Sequence, residues 1–362
     1  MRRLPLCALV IGALLFSSIS DAQRKKKTKK TDEEPVTQTL EILPEPPAAL
    51  TVETKRLDFA VAPLSGHGLL SQQVRNEVRA LWRAAGSSPL VKIRAFVAGT
   101  GDLRRVQVIL AEMYNEKHLP MPVLSVVQVG ALPLNGAQAQ LEAVSQDARK
   151  LSNPNGLAFV SGQQAPTPAE SISRLKTALA AAEPLRIACF VAAADDMDRV
   201  RMLIGSAFPT TPFLIAQTQR APVQPVTECE AVARLKSAPA TEVQFLNPDG
   251  LARSPNYSQI ALVAAPHLVL SSAQLAFRYE EADARLAFER LERTLAGVNS
   301  SLKQAVMVNA YPLSPQLAEL VRKVRFDFLD KSRPPASTLL PFEGLPGMDA
   351  SISLEVVAVP KS

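Results

Sequence analysis

The residues most able to do chemistry are three glutamates, Glu142, Glu230 and Glu355, which recur in the similar runs Leu141-Glu142-Ala143-Val144, Cys229-Glu230-Ala231-Val232 and Leu354-Glu355-Val356-Val357. A carboxylate that returns inside an apolar strand has two uses: it lines a ligand cleft, or it caps buried backbone and pairs across an interface between repeats. Cys189 and Cys229 also lie in strand-like runs and are read as two core thiols; a disulfide is the alternative, because bridging across strands needs narrow geometry. His67, His118 and His267 occupy unrelated positions with no acid at ligand spacing, so no metal site is expected. With three Cys and three His, a zinc cage, an iron–sulfur protein and a cysteine-rich scaffold are excluded. No glycine-rich phosphate loop or nucleophile elbow occurs, and Trp82 falls on a helical apolar stripe and is assigned to a core. No cofactor is implied.

The elements that must position these groups come in three copies. Val91 to Ala98 matches Leu185 to Ala192 at an offset of 94 residues, at which Asp102, Arg105 and Val106 also meet Asp196, Arg199 and Val200. A more divergent third copy runs through Ala305 to Tyr311 and a helix from Gln316 to Asp330. In each copy a one-sided helix comes first, with apolar positions Leu70, Val74, Val78 and Leu81, then Ile172, Leu175 and Leu179, then Ala284, Phe288, Leu291 and Leu295. Extended stretches at 57–62, 156–161 and 260–272 precede these helices; a strand, a second helix and two Val/Ile/Thr-rich strands follow. The unit is β-α-β-α-β-β, an α+β sheet with both helices on one face. Repeats are expected at 50–148, 149–242 and 243–362, joined at Asn-Pro and Asp-Gly turns.

The chain of 362 residues carries 40 Lys/Arg and 34 Asp/Glu, but its first thirty residues hold eight of the former and one of the latter, leaving 32 basic against 33 acidic residues. The body is near neutral, which gives a nucleic-acid groove no support. Arg2 and Arg3, an apolar run from Leu4 to Ile19 and the small residues Ser20 and Ala22 read as a signal peptide over 1–22. A periplasmic or secreted protein is expected, with an uncleaved N-terminal membrane anchor as the alternative because the basic run from Arg24 to Lys30 follows directly. That run either touches an anionic envelope surface or is a solvated tail. Residues 23–49, basic and then acidic and Pro-rich, are expected to be a disordered, extended linker.

Several runs resemble the reactive intermediate deaminase family (RidA, YjgF, also called endoribonuclease L-PSP). In the third copy they are Tyr257-Ser258-Gln259, 268–274, 287–295, Pro335-Ala336-Ser337-Thr338 and Leu354 to Ala358. The second copy adds Leu157 to Gln163, and the first adds 122–129 with Leu132-Pro133 and Leu141 to Val144. The resemblance implies a chorismate-mutase-like fold in which three copies close on themselves as an intramolecular pseudo-trimer, a monomer with small-molecule clefts between repeats. Linking the copies replaces subunit association with a high effective concentration.

The family's deaminases hold a 2-iminoacid carboxylate with an arginine and place the attacking water with an acid. The resemblance puts Leu124, Leu214 and Ser337 at the arginine position and Gln140, Glu228 and Ser353 at the acid position. Only Glu228 remains as a candidate catalytic residue; Arg220 and Arg333 lie near these strands and are read as solvated, with substitution for the clamp as the alternative. Ser161, Gly162, Gln163, Tyr257 and Ser272, with Glu142, Glu230, Glu355, Leu124, Leu214 and Ser337, complete the ligand-binding set. Three functions stay open: a module that binds a small metabolite such as one derived from an amino acid; an imine or enamine deaminase with a relocated anion clamp; and a structural or interaction platform.

Overall fold

The computed structural model describes residues 42–99, 103–180, 182–220 and 226–361. The signal-peptide expectation, the basic run and Asp102 lie outside the described residues. Residues 43–362 form one compact unit.

A first strand β1 (Ala49–Glu53) precedes the first repeat, which comprises β2 (Leu57–Val61), α1 (Leu70–Ala85), β3 (Leu90–Ala98), α2 (Arg104–Glu116), β4 (Val123–Val129) and β5 (Ala139–Gln146). The second comprises β6 (Leu157–Ala165), α3 (Pro168–Ala178), β7 (Ala182–Val191), α4 (Asp196–Ala207), β8 (Phe213–Gln217) and β9 (Thr227–Leu235). After β10 (Val243–Leu246) and β11 (Ile260–Val263) comes the third: β12 (His267–Ser271), β13 (Gln274–Phe277), α5 (Glu281–Ala296), β14 (Ala305–Pro312), α6 (Pro315–Val324), β15 (Ala336–Leu339) and β16 (Ala350–Ala358). The β-α-β-α-β-β order is met in the first two repeats, and in the third two strands, β12 and β13, stand where the first strand was expected.

Local chemistry accounts for the helices. Thr167 and Ser314 accept the N–H groups of Glu170 and Leu317, each followed by a proline at the first helical position, and Glu280 with Asp283 forms a capping box on α5. Each helix pair buries its stripe against its own sheet, giving three cores. The opposite sheet faces meet one another: one apolar cluster unites Leu57, Phe159, Val232, Leu270 and Met307, and a second unites Phe96, Phe190, Tyr311 and Phe342.

Sheet pairing departs from the sequence boundaries in two places. The 260–272 stretch, read as one extended element of the third copy, splits at Ala264–Pro266: β11 pairs with β6 in the second sheet, and β12 pairs with β1. Gly156, at φ +99°, allows this approach, since a Cβ there would stand 2.1 Å from the Val263 carbonyl oxygen. The last residues of the expected linker are likewise fixed: the Ser272 N–H donates to the Ala48 carbonyl at 2.9 Å, and β1 completes the third sheet. Backbone pairing is indifferent to which repeat supplies a strand, so an edge takes the nearest segment of suitable register.

The cysteine reading is corrected too. Cys189 and Cys229 stand directly opposite each other on β7 and β9, Cα atoms 4.1 Å apart, and are joined as a disulfide. Among the described residues, no helix is long and apolar enough to cross a membrane, and no cluster of three His, Cys, Asp or Glu is placed to hold a metal.

Candidate functional site

Where the three sheets meet, charged residues separate the two apolar clusters. Arg94, from β3, donates through Nε to Glu142, through Nη2 to Glu230 at 2.7 Å and through Nη1 to Glu355 at 3.3 Å, so one guanidinium touches a carboxylate of every repeat. Arg186 joins Glu230 at 2.7 Å and Glu142 at 3.2 Å, and Lys92 joins Glu355 at 2.8 Å. Hydroxyls complete the shell: Thr338 donates to Glu230 at 2.6 Å, Tyr311 to Glu355 at 2.8 Å, and Ser125 to Glu355. Burial raises the pKa of both acids, but Arg94 and Arg186 outweigh it at Glu230, bringing that carboxyl down to about 2, and Lys92 and Arg94 lower Glu355. Burial pulls the Lys92 ammonium down against the attraction of Glu355. The recurring glutamates pair across repeats, and they also line a central cavity of about 60 Å³. The cations were legible: Lys92, Arg94 and Arg186 interrupt apolar strands that face three acids, and a buried charge requires a partner.

The strand registers make the repeats comparable. Glu142, Glu230 and Glu355 lie opposite Arg94, Ala188 and Asn309, which in turn lie beside Ser125, Leu214 and Thr338. Leu214 therefore matches Ser125 and Thr338, and it is Phe213 that matches Leu124 and Ser337. The expectation that put Leu214 at the arginine position is one residue out of register. Leu214 is fully buried in the aromatic cluster.

Ser161, Ser272, Leu124 and Ser337 serve the junctions. Ser161 Oγ accepts the Ser337 N–H at 2.8 Å and donates to the Ser258 carbonyl at 2.6 Å. Ser272 Oγ repeats this with the Leu124 N–H at 2.9 Å and the Pro47 carbonyl at 2.7 Å. Gln163 binds the Ser161 carbonyl and the Gln259 side chain, bracing the same corner.

Glu228 is the exception, a buried acid with no hydrogen bond or ion pair to other described residues. Burial, then repulsion from Glu230, pushes its carboxyl up to about 8, with Arg322 pulling the other way. Gly162 makes room for it, since a Cβ there would lie 1.8 Å from Glu228 Oε1. Its cross-strand neighbours Gln164 and Phe190 line a cavity of about 240 Å³ between the second and third repeats, whose far wall includes Glu319 and Arg322 of α6. Tyr257 is near enough that, after burial, the Glu228 charge raises its pKa. Glu228, with Gly162 and Tyr257 near it, stands beside this cavity and not in its lining. Arg220 and Arg333 do not line it either: both are more than half exposed, and they pair with Glu343 and Asp330. Arg322, on an amphipathic surface helix, carried no sequence signal that set it apart from other solvated arginines.

No family model matches the sequence, and no curated protein does. Solved structures similar to it include a Rid-family protein of unknown function from Yersinia pestis (14% identity, TM-score 0.29), covering 33% of this chain and 98% of that one. A YjgF-family protein from Neisseria meningitidis (16%, 0.25) covers 33% and 96%, and a putative endoribonuclease from Thermotoga maritima (23%, 0.24) covers 33% and 98%. Each of these structures, two of them named for the Rid or YjgF family, covers about a third of this chain and nearly all of its own length.

Proposed function

We propose that the chain works as a closed monomer and binds one small organic metabolite in the cleft between its second and third repeats. The observation that carries this reading is Glu228: a buried, unpartnered carboxyl beside a cavity to which Arg322 contributes a cation. With its pKa near 8, Glu228 is mostly a neutral acid at pH 7 and donates a hydrogen bond to a carbonyl or imine nitrogen, while Arg322 attracts an anionic end. The Cys189–Cys229 disulfide supports export to an oxidising compartment. Calorimetric titration with 2-keto acids and their amides tests the assignment. A bound ligand should lose roughly tenfold in affinity in Arg322→Ala, about 1.4 kcal/mol, and also weaken in Glu228→Gln. Unchanged affinity in both variants would remove the ligand from this cleft.

A second reading, hydrolysis of imines or enamines, is favoured by the same pair, since Arg322 stands in for the absent clamp and Glu228 can move a proton to or from attacking water. Iminoacid generated in place by an amino-acid oxidase is the assay. We expect weak turnover that Glu228→Gln abolishes, because Arg322 is shared with Glu319; turnover indifferent to Glu228→Gln would end this reading.

A further inference from the structure

Another cavity, of about 260 Å³, lies within the first repeat and is built differently from the cleft. Its floor is aromatic: Trp82 of α1 and Tyr114 of α2 meet edge to face with centroids 5.3 Å apart. Pro89, Leu90, Leu119 and Pro120 form its sides. Lys117 stands over the indole, its Nζ 5.2 Å from the ring centroid. The Trp82 indole N–H and the Tyr114 hydroxyl complete no hydrogen bond with the protein, although both atoms are buried and Tyr114 is 2% exposed. Burial raises the Tyr114 phenol to about 12, with the nearby indole N–H opposing, so the hydroxyl keeps its proton and stays a donor.

The wall is lopsided in charge. It offers the Lys117 ammonium, and no carboxylate lines it; the indole N–H and the phenol O–H are buried beneath it and do not open onto it. Apolar and aromatic walls of this size accommodate a single planar ring, which stacks on indole and proline faces. A cationic ring would meet Lys117 and be repelled.

We propose that this cavity is a binding site for a small aromatic anion, an aryl carboxylate whose ring lies against Trp82 and whose carboxylate pairs with Lys117. The site is separate from the inter-repeat cleft and does not depend on the function assigned to that cleft.

Trp82 is the single tryptophan of the chain, so selective indole excitation reads this cavity directly. Benzoate, benzyl alcohol and benzylamine are the probes, titrated into the full folded chain at constant ionic strength. Benzoate should change Trp82 emission saturably, benzyl alcohol should do so about tenfold more weakly, and benzylamine should have no saturable effect. Lys117→Met should bring benzoate down to the affinity of benzyl alcohol and leave benzyl alcohol itself unchanged. The proposal is overturned by the absence of any saturable benzoate response, by equal responses to all three probes, or by a response that Arg322→Ala removes, which would place the ligand in the cleft. If Lys117→Met unfolds the chain, Lys117→Arg decides: it must retain preference for benzoate over benzyl alcohol.

Discussion

Two of the three junctions between repeats are tied by hydroxyls, and the third carries apolar residues at the matching positions. Where the first repeat meets the third, Ser272 holds the Leu124 backbone and Ser125 reaches Glu355; where the third meets the second, Ser161 holds the Ser337 backbone and Thr338 reaches Glu230. At the junction of the second repeat with the first, the matching positions carry Val61, Phe213 and Leu214. Glu142, the acid that a hydroxyl at 214 would serve, keeps a buried Oε2 without a partner. A homotrimer repeats one junction three times, whereas a single chain can let each drift. The central cation shows the same freedom: one Arg94 touches three glutamates, with Ala188 and Asn309 in its place on the other strands, and three guanidiniums could not occupy that spot together.

The largest effect should come from removing the group that all junctions share. Arg94→Met leaves Glu142, Glu230 and Glu355 with only Lys92 and Arg186, so we expect a loss of about 3–5 kcal/mol in urea unfolding, the range for stripping one partner from a buried ion pair. A loss below about 1 kcal/mol would mean that the glutamates hold the sheets without their central cation.

Glu228 separates structural from functional burden at the hydroxyl-tied junction that bears the cleft. Its folded pKa, near 8, lies above the unfolded value near 4.5, so between these pH values the folded state binds the extra proton and stability falls as pH rises; below the lower value the penalty vanishes. Glu228→Gln should therefore gain roughly 3 kcal/mol at pH 7, at about 1.4 kcal/mol per pH unit above 4.5, and should gain little at pH 4. Thermal unfolding across that range checks it: a gain independent of pH would show that Glu228 titrates normally. An acid that lowers stability where a glutamine would raise it is the expected signature of a binding residue.

Thr338→Val is the direct test of a hydroxyl tie. It keeps shape but removes a donor from the buried Glu230 carboxylate, and hydrogen bonds to charged groups contribute about 1.5–3 kcal/mol. Stability should drop by that amount, and Ser125→Ala should behave alike at the other tied junction. Equal and negligible losses would make the ties incidental.

The sequence carried the repeat unit because amphipathic helices and Val-rich strands leave periodic marks: the stripe of Leu70, Val74, Val78 and Leu81 is buried in full. It did not carry which sheet takes β1 or β11, since backbone hydrogen bonds have no side-chain signature. The cleft was legible through Glu228 and Gly162, where an unusual acid needs a neighbour without a side chain. Arg322 was not legible, because only the packing of α6 across the junction turns that surface arginine towards the cavity. Leu214 was misplaced because Phe213 and Leu214 are both apolar, and hydrophobicity cannot tell one strand face from the other when both are buried.

The smallest net effect, and the most discriminating, belongs to Leu214→Thr. If the comparison of junctions is right, the new hydroxyl meets the idle Glu142 Oε2 and gains about 1.5–3 kcal/mol, while the lost apolar volume costs about the same; the net change should stay within roughly 1 kcal/mol. Leu214→Val removes a similar volume without adding a donor and should be the less stable of the two, against the usual preference of a core for the apolar isostere. A double-mutant cycle with Glu142→Gln isolates the contact: threonine should lose its advantage over valine once the charge is gone. If valine is favoured at position 214 with Glu142 intact, the apolar junction is a finished packing solution in its own right, and the unpartnered carboxylate oxygen is not a tie waiting for its hydroxyl.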